Sequence, residues 1–69
     1  MEVANCLRKI RIDRRYTQED IADVLQTTQQ QYSRYELGIH EIPVRHVITL
    51  CKFYQISADV LLGLDDEKA

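Results

Sequence analysis

The chain has 69 residues, of which 45% are hydrophobic, and its formal net charge is −2. This length allows one domain, the apolar content excludes a disordered chain, and two cysteines are too few for a secreted disulfide framework. With only 2 glycines and 1 proline the chain has few interruptions, which favours an all-helical structure. We expect Cys6 and Cys51 to be free, reduced and mostly buried.

Targeting and charge patterns narrow the possible functions. The N-terminus, MEVANCLRKI, lacks the apolar run of a signal peptide, and no apolar stretch approaches the roughly 20 residues of a membrane span. We therefore expect a cytoplasmic protein with no membrane partner. A nucleic-acid binder usually carries a basic patch, so DNA binding at this net charge requires a local positive field. Five cations lie close together near the N-terminus: Arg8, Lys9, Arg11, Arg14 and Arg15.

Residues 2–13 are predicted to form the first helix. One face of this helix, at positions i, i+4, i+7 and i+8, is formed by Val3, Leu7, Ile10 and Arg11. A lone arginine on an otherwise apolar face is costly to bury unless it has a partner. The pattern therefore predicts a partner for Arg11 elsewhere in the fold.

The second helix is predicted over residues 18–25. Thr17 stands at its cap, and Asp20 takes the place of the Glu or Gln that usually completes a capping box. Gln26 and Thr27 then form a tight turn.

The third helix is predicted over residues 28–37. Thr28 caps it, with Gln31 as the partner in a second capping box, and Gly38 is a natural C-terminal stop. Two tyrosines three residues apart are its expected inward residues, Tyr32 and Tyr35.

Two further helices complete the predicted domain. Pro43 suits the first turn of a fourth helix. The buried face of that helix is expected to comprise Val44, Val47, Ile48, Leu50, Cys51 and Tyr54. Ser57 caps a short fifth helix, ADVLL, which ends at Gly63. The domain thus covers residues 1–64, and residues 65–69 are expected to form an acidic, flexible tail.

The second and third helices, joined by a tight turn, form a helix-turn-helix unit. In such a unit the second helix inserts its N-terminal residues into the major groove of DNA. Its exposed face presents Gln29, Gln30, Ser33 and Arg34. Gln can pair with the edge of adenine and Arg with that of guanine, and Thr28 can add a phosphate or thymine-methyl contact. The two-helix unit and the upstream arginines favour base reading over a merely solvated polar face.

Three segments carry a resemblance to a known family: IRIDRRYTQEDIADVL, TTQQQYSRYELG and IPVRHVITLCKFYQISADVLLGL. Their motifs, T-Q-E-D-I-A, Y-E-x-G, I-P and F-Y-x-I-S-x-D-x-L-L-G, resemble the helix-turn-helix domain of phage repressors and Cro proteins, the XRE-like family, over residues 3–64. The resemblance implies an all-α, compact five-helix, lambda-repressor-like domain whose helices 2 and 3 bind DNA. It also implies a sequence-specific double-stranded DNA-binding transcriptional regulator, specifically a repressor of the Cro/C1 type.

The resemblance assigns roles to individual residues. Gln18 looks like the family's phosphate-binding glutamine, which can also buttress Gln29. The family's base-reading positions are occupied by Gln29, Gln30 and Arg34. Arg11 and Glu36 match a pair that forms a partly buried salt bridge between the first and third helices.

Two departures from the family pattern affect the expected affinity. The turn usually begins with glycine in the left-handed conformation, and Gln26 in that place costs roughly 1 kcal/mol or more. The loop over residues 39–42, IHEI, lacks the basic residues often found there, so affinity should be weaker and its salt dependence shallower. Three arginines can compensate at phosphates, or serve only surface solubility: Arg14, Arg15 and Arg45.

The sequence offers fewer observations on the oligomeric state and on an alternative function. Two copies are expected to bind a pseudo-palindrome as a homodimer, with half-sites about one helical turn apart. Candidates for the dimer face, or for simple completion of the core, are Phe53, Val60 and Leu64. The alternative function is a protein-interaction module, such as a small antitoxin or an adaptor with the same fold. The acidic charge favours it slightly.

The sequence shows no pattern of catalytic residues. His40 and His46 have no nucleophile or metal cluster beside them, so we expect them to be surface or boundary residues. Neither a glycine-rich phosphate loop nor a paired-carboxylate site is evident, and no metal-ligand spacing appears. We predict no enzymatic activity, no metal and no cofactor.

Overall fold

A computed structural model describes residues 3–64, which form five α-helices and no β-strand within that range. The helices are α1 (Val3–Asp13), α2 (Gln18–Val24), α3 (Gln29–Glu36), α4 (Val44–Tyr54) and α5 (Ala58–Leu61). The predicted all-α, five-helix architecture is confirmed, with helix bounds within one or two residues of those expected. The predicted acidic tail, residues 65–69, lies outside the described residues.

The five largest fully buried side chains of the hydrophobic core come one from each helix. These are Leu7 from α1, Ile21 from α2, Tyr32 from α3, Leu50 from α4 and Leu61 from α5. Burying each such side chain contributes about 1.5–3 kcal/mol. Tyr35 also points inward, as predicted, and its ring meets that of Tyr32 edge-on with centroids 6.3 Å apart. The two buried tyrosines on one side of α3 therefore anchor this helix in the core.

Hydroxyl side chains begin three of the helices. Thr17 forms a complete capping box with Asp20, in which Thr17 Oγ1 accepts from Asp20 N at 3.0 Å and Asp20 Oδ2 accepts from Thr17 N at 2.9 Å. Thr28 Oγ1 likewise accepts from Gln31 N at 3.1 Å. The Gln31 side chain, which was expected to complete a second capping box, contacts Arg34 and His40 instead. The capping residues recognised in the sequence thus predicted where these helices begin.

Helix ends depend on residues in the left-handed backbone region. Gln26, in the turn between α2 and α3, has φ of 57°, so this turn keeps the left-handed conformation although its residue is not glycine. The Thr27 N–H donates to Ala22 O at 2.9 Å, so this turn closes α2 with the hydrogen bond of a Schellman motif. Arg15 and Gln55 adopt the same conformation after α1 and α4. Each non-glycine residue held there costs about 1–2 kcal/mol.

The predicted inward face of α4 is confirmed at Leu50 and Tyr54, which are buried, and at Val47 and Cys51, which pack against the core, but it was wrong at two positions. Val44 and Ile48 are 73% and 50% exposed. The inward stripe, spaced by four residues, comprises His46, Leu50 and Tyr54. His46 is therefore buried rather than at the surface, because its ring packs edge-on against Tyr35 with centroids 5.9 Å apart. The hydrophobic pattern of α4 omitted His46, and the ring contact with Tyr35 allows this histidine to pack in the core.

Both cysteines are free, but they are only half-buried. The expectation that they are mostly buried was wrong. Cys6 lies on the side of α1 beside Lys9 and Val60, in a groove that is open to solvent. Cys51 packs at the edge of the core, where burial raises the pKa of its thiol.

Candidate nucleic-acid interface

The outward side of α3 forms a shallow concave surface together with the start of α2. The concavity has a volume of about 420 Å³ and is lined by Gln18, Gln29, Gln30, Ser33, Arg34, Leu37 and Ile39. The structure thus brings together all four predicted base-reading side chains and the glutamine assigned to phosphate. Gln29, Gln30 and Arg34 are exposed, whereas Ser33 is half-buried. This surface carries amide, hydroxyl and guanidinium groups that can pair with base edges.

Two apolar residues on this surface were missed by the sequence reasoning. Leu37 and Ile39 are 68% and 63% exposed, beside the side chains of Ser33 and Arg34. The spacing of Leu37 from Ser33, one helical turn, places both on the same side of α3 and is a signal the sequence offered. Apolar groups there can contact thymine methyl groups or a protein, but not phosphates.

A buried ion pair lies beneath this surface and ties α1 to α3. Arg11 Nε donates to Glu36 Oε2 at 2.7 Å and Arg11 Nη2 donates to Glu36 Oε1 at 3.1 Å. A third bond runs from Arg11 Nη1 to the carbonyl oxygen of Tyr16 at 2.9 Å. The exposed fractions of the two side chains are 12% for arginine and 2% for glutamate. The lone arginine on the apolar face of α1 therefore has its charge paired and a hydrogen bond from each of its three guanidinium nitrogens.

The pKa of Glu36 reflects two opposed effects. Burial alone would raise the pKa of this carboxyl group, but hydrogen bonds from Arg11 and Gln18 and the nearby phenol of Tyr32 outweigh burial. The net pKa lies below the ordinary value of 4.5, so the carboxylate is ionised at neutral pH. The bond to Glu36 in turn raises the pKa of the Arg11 guanidinium.

Two tyrosine hydroxyl groups are buried close to this ion pair. Within residues 3–64, neither Tyr32 nor Tyr54 has a hydroxyl partner at standard hydrogen-bond geometry. Burial raises the pKa of Tyr54 to about 12, and burial together with the Glu36 charge raises that of Tyr32 further. Both phenols therefore stay neutral and act as core side chains.

A chain of hydrogen bonds connects the ion pair to the outward surface. Gln18 Nε2 donates to Glu36 Oε1 at 3.0 Å, and Gln29 Nε2 donates to Gln18 Oε1 at 3.5 Å. The contact between the two glutamines matches the buttress that the resemblance implied. The bond from Gln18 to Glu36 was not predicted from the sequence, because it joins residues 18 positions apart in the chain.

Arg34 is held by a neutral partner on the surface. Its Nη1 donates to Gln31 Oε1 at 3.3 Å, and Gln31 Nε2 lies 3.3 Å from His40 Nδ1. The contact between Arg34 and Gln31 is long and exposed and its acceptor is an amide oxygen, so it is weaker than a bidentate arginine–carboxylate pair. The guanidinium of Arg34 therefore keeps most of its donors for a ligand.

The residues predicted to bind phosphates differ in whether their polar groups already have partners within the protein. Arg14 Nη1 donates to the carbonyl oxygen of Tyr54 at 3.0 Å, and its guanidinium lies 5.6 Å from the centre of that ring. Arg14 therefore fastens the end of α4, a role that the sequence did not predict. Arg15 and Arg45 are exposed, whereas the hydroxyl of Thr28 already serves as a helix cap.

The three residues considered for a dimer face are all partly exposed. Phe53, Val60 and Leu64 show 38%, 41% and 42% of their surface, so core completion does not describe them. The Phe53 ring packs against the rings of Tyr16 and Tyr54, with centroids 5.2 and 5.3 Å apart. A homodimer through these residues stays a prediction.

Two other classes of site are absent from the described part of the chain. Residues 3–64 hold no group of three His, Cys, Asp or Glu side chains placed to bind a metal ion. None of the helices in that range combines the length and apolarity needed to cross a bilayer.

Known proteins place the chain in a family. A family model described as helix-turn-helix matches residues 7–61. Two Bacillus subtilis (strain 168) proteins, the uncharacterized HTH-type transcriptional regulators YqaE and YobD, are 36% and 30% identical to the chain over 63 and 61 residues. These matches cover 90% and 88% of the chain and 54% of each relative.

A third relative has a phage-related name. The SPbeta prophage-derived HTH-type transcriptional regulator YonR of the same strain is 36% identical over 56 residues, which is 81% of the chain and 52% of that protein. The chain thus spans about half the length of the curated relatives it matches. No solved structure matches it significantly. With this family match and the geometry of α2 and α3, the chain belongs to the helix-turn-helix family as an XRE-like member.

Proposed function

We propose that the chain is a sequence-specific, double-stranded DNA-binding transcriptional regulator that reads the major groove with α3. The observation that carries the proposal is the outward surface of α3, where Gln29, Gln30, Ser33 and Arg34 line one concavity. Glutamine pairs bidentately with the N6 and N7 edge of adenine, and arginine with the O6 and N7 edge of guanine. The names of the relatives, all HTH-type transcriptional regulators, support the same function.

The regulator is proposed to act as a homodimeric repressor in the cytoplasm. Two copies would place their α3 helices in successive turns of the major groove, about 34–36 Å apart. A dimer bound over a promoter would exclude polymerase by occupying the same DNA. This function includes no catalytic step, and we propose none.

Selection of bound sequences from a randomised DNA pool, followed by gel retardation, tests the proposal. The wild type should select a two-fold related site, and Gln29→Ala or Arg34→Ala should each weaken binding to it by about 1–3 kcal/mol. Each variant should also lose discrimination at one base pair per half-site. If both variants bind every DNA as the wild type does, α3 does not read bases.

Phosphate binding is proposed for Gln18, Arg15 and Arg45, with Arg14 left out because its guanidinium is bound to Tyr54. Neutralising one phosphate contact lowers the slope of log affinity against log salt concentration by about 0.9. We therefore expect Arg45→Gln to lower that slope. The matched control is Lys52→Gln, which removes a cation about 10 Å further along α4 and should leave the slope unchanged.

A second candidate function, a protein-interaction module, is favoured by three exposed apolar residues around the end of α3. Leu37, Ile39 and Val44 are the most exposed large hydrophobic residues within 3–64, at 63–73%. The loop between them carries no lysine or arginine to meet phosphates. The gel-retardation experiment separates the candidates, because a module of this kind should retard neither random nor genomic DNA.

A further inference from the structure

We infer that Glu36 is a positioning residue for base recognition: through Gln18 it fixes the orientation of the Gln29 amide, and thereby makes Gln29 select adenine over guanine. This inference rests on the proposed function, in which α3 reads base edges. Glu36 itself is buried and touches no DNA in this scheme.

The first step is the orientation of Gln18. A carboxylate can only accept hydrogen bonds, and the doubly bonded Arg11 guanidinium keeps Glu36 ionised. The Gln18 amide at 3.0 Å from Glu36 Oε1 must therefore present its nitrogen to the carboxylate. A flipped amide would place two acceptor oxygens against each other. The Gln18 Oε1 consequently faces away from Glu36, toward Gln29.

The second step passes this constraint to the surface. Gln18 Oε1 is an acceptor, so the Gln29 group 3.5 Å from it must be the nitrogen. One N–H of Gln29 is thus directed inward. The other N–H and the Gln29 Oε1 are left for a ligand. The 3.5 Å contact is long and leaves room for adjustment on binding, and the acceptor at Gln18 Oε1 favours the orientation in which the Gln29 nitrogen faces inward.

The third step is the match to a base. Adenine presents N7 as an acceptor and N6 as a donor, which complement one N–H and one carbonyl oxygen in a fixed order. Guanine presents two acceptors, N7 and O6, and the Gln29 oxygen would oppose one of them. An unrestrained glutamine can rotate its amide and offer the NH₂ group to O6. The chain of hydrogen bonds from Glu36 therefore disfavours the orientation that would tolerate guanine.

The neighbouring Gln30 supplies a matched comparison within the same helix. It is exposed on the same concave surface, and no hydrogen bond restrains its amide within residues 3–64. Its preference between adenine and guanine should be independent of Glu36 and Gln18.

The test measures base preference rather than overall affinity. Gln29→Ala and Gln30→Ala identify which base pair each glutamine reads, and competition binding then gives the adenine-to-guanine ratio at both. In Gln18→Met, which retains the side-chain volume and the Arg11–Glu36 pair, the ratio at the Gln29 base pair should fall by about tenfold. The ratio at the Gln30 base pair should stay as in the wild type. Loss of a Gln18 phosphate contact lowers affinity for all sequences equally and cancels from the ratios.

Glu36→Gln provides the second variant, used at a temperature where thermal unfolding shows it folded. It should reduce the same ratio, because an amide at position 36 can both donate and accept and no longer dictates the orientation of Gln18. An unchanged ratio at the Gln29 base pair in either folded variant, Gln18→Met or Glu36→Gln, overturns the inference.

A DNA-free measurement distinguishes failure of this inference from failure of the proposed function. If the wild type binds no DNA, the proposed function fails, and the side-chain amide ¹H–¹⁵N NOE of Gln29 decides whether its orientation is fixed. Greater amide mobility in Gln18→Met than in the wild type would support the inference. Equal mobility in both proteins would overturn it.

Discussion

The two sides of α3 use similar chemical groups for opposite purposes. On the inner side, Glu36 is 2% exposed and its carboxylate is bound by the Arg11 guanidinium and the Gln18 amide. On the outer side, Arg34 and Gln29 carry the same guanidinium and amide groups, held only by contacts of 3.3 and 3.5 Å to neutral partners. Burial and an ionised partner make the inner groups structural, while the outer groups keep donors and acceptors for a ligand.

The contrast teaches that residue type alone does not identify a binding side chain on this helix. Arg11 on α1 and Arg34 on α3 both have polar neighbours, yet all three guanidinium nitrogens of Arg11 are bonded inside the protein, whereas Arg34 donates through Nη1 to a surface amide. Their difference comes from position relative to the core, because α3 buries Tyr32, Tyr35 and Glu36 along one side and leaves Arg34 exposed on the other. Substitutions on the two sides should therefore affect different measurements.

The largest expected effect is on stability. Glu36→Ala leaves the buried Arg11 guanidinium without its carboxylate, which should lower the free energy of unfolding by about 3–5 kcal/mol. Chemical denaturation measures this change. Gln30→Ala, on the exposed side of the same helix, should change stability by less than about 0.5 kcal/mol. Similar losses in the two variants would mean that the inner ion pair does not hold the fold.

The pH dependence of stability should also reflect the ion pair between Arg11 and Glu36. Because the folded-state pKa of Glu36 lies below its ordinary value of 4.5, ionisation stabilises the fold above that value, and stability is lost as the pH falls below it. Denaturation of the wild type between pH 7 and pH 3 should therefore show a steeper loss than Glu36→Gln. His46, whose pKa burial lowers, acts in both proteins and cancels from the comparison.

The smallest effect concerns the turn that joins α2 to α3. Gln26→Gly should raise the free energy of unfolding by about 1 kcal/mol, since glycine occupies the left-handed region without the steric cost that Gln26 bears. DNA affinity should not change, because Gln26 does not line the concave surface. Gln26→Ala is the control and should bring no such gain. Stabilisation by alanine would show that the backbone conformation is not the cause.

Local patterns predicted the helices and the composition of the candidate surface. The caps at Thr17 and Thr28 depend on hydrogen bonds between residues three apart, and these are visible in the sequence. The outward glutamines followed from helical periodicity once the start of α3 was placed. The left-handed ends at Arg15 and Gln55 were not predicted, because neither residue is the glycine that usually marks such a turn.

Long-range contacts account for the remaining differences. The pattern of α4 favoured Val44 and Ile48 as inward residues, but the stripe that meets the core begins at His46, which packs on Tyr35. Arg14 was considered for phosphate, yet the carbonyl oxygen of Tyr54, 40 positions away in the chain, binds it. No spacing rule within one helix specifies partners at such separations.

Hydrogen bonding and periodicity over a few residues set the helical segments, their starts and the amide-rich exposed side of α3, so these features could be predicted from the sequence. Tertiary packing set which polar groups have hydrogen-bond partners inside the molecule. It brought Arg11, Gln18 and Glu36 together from three helices, and so separated the side chains that hold the domain from those free to meet another molecule. The reason is that burial in a low-dielectric core makes a polar group bind its nearest complement, whichever part of the chain supplies it.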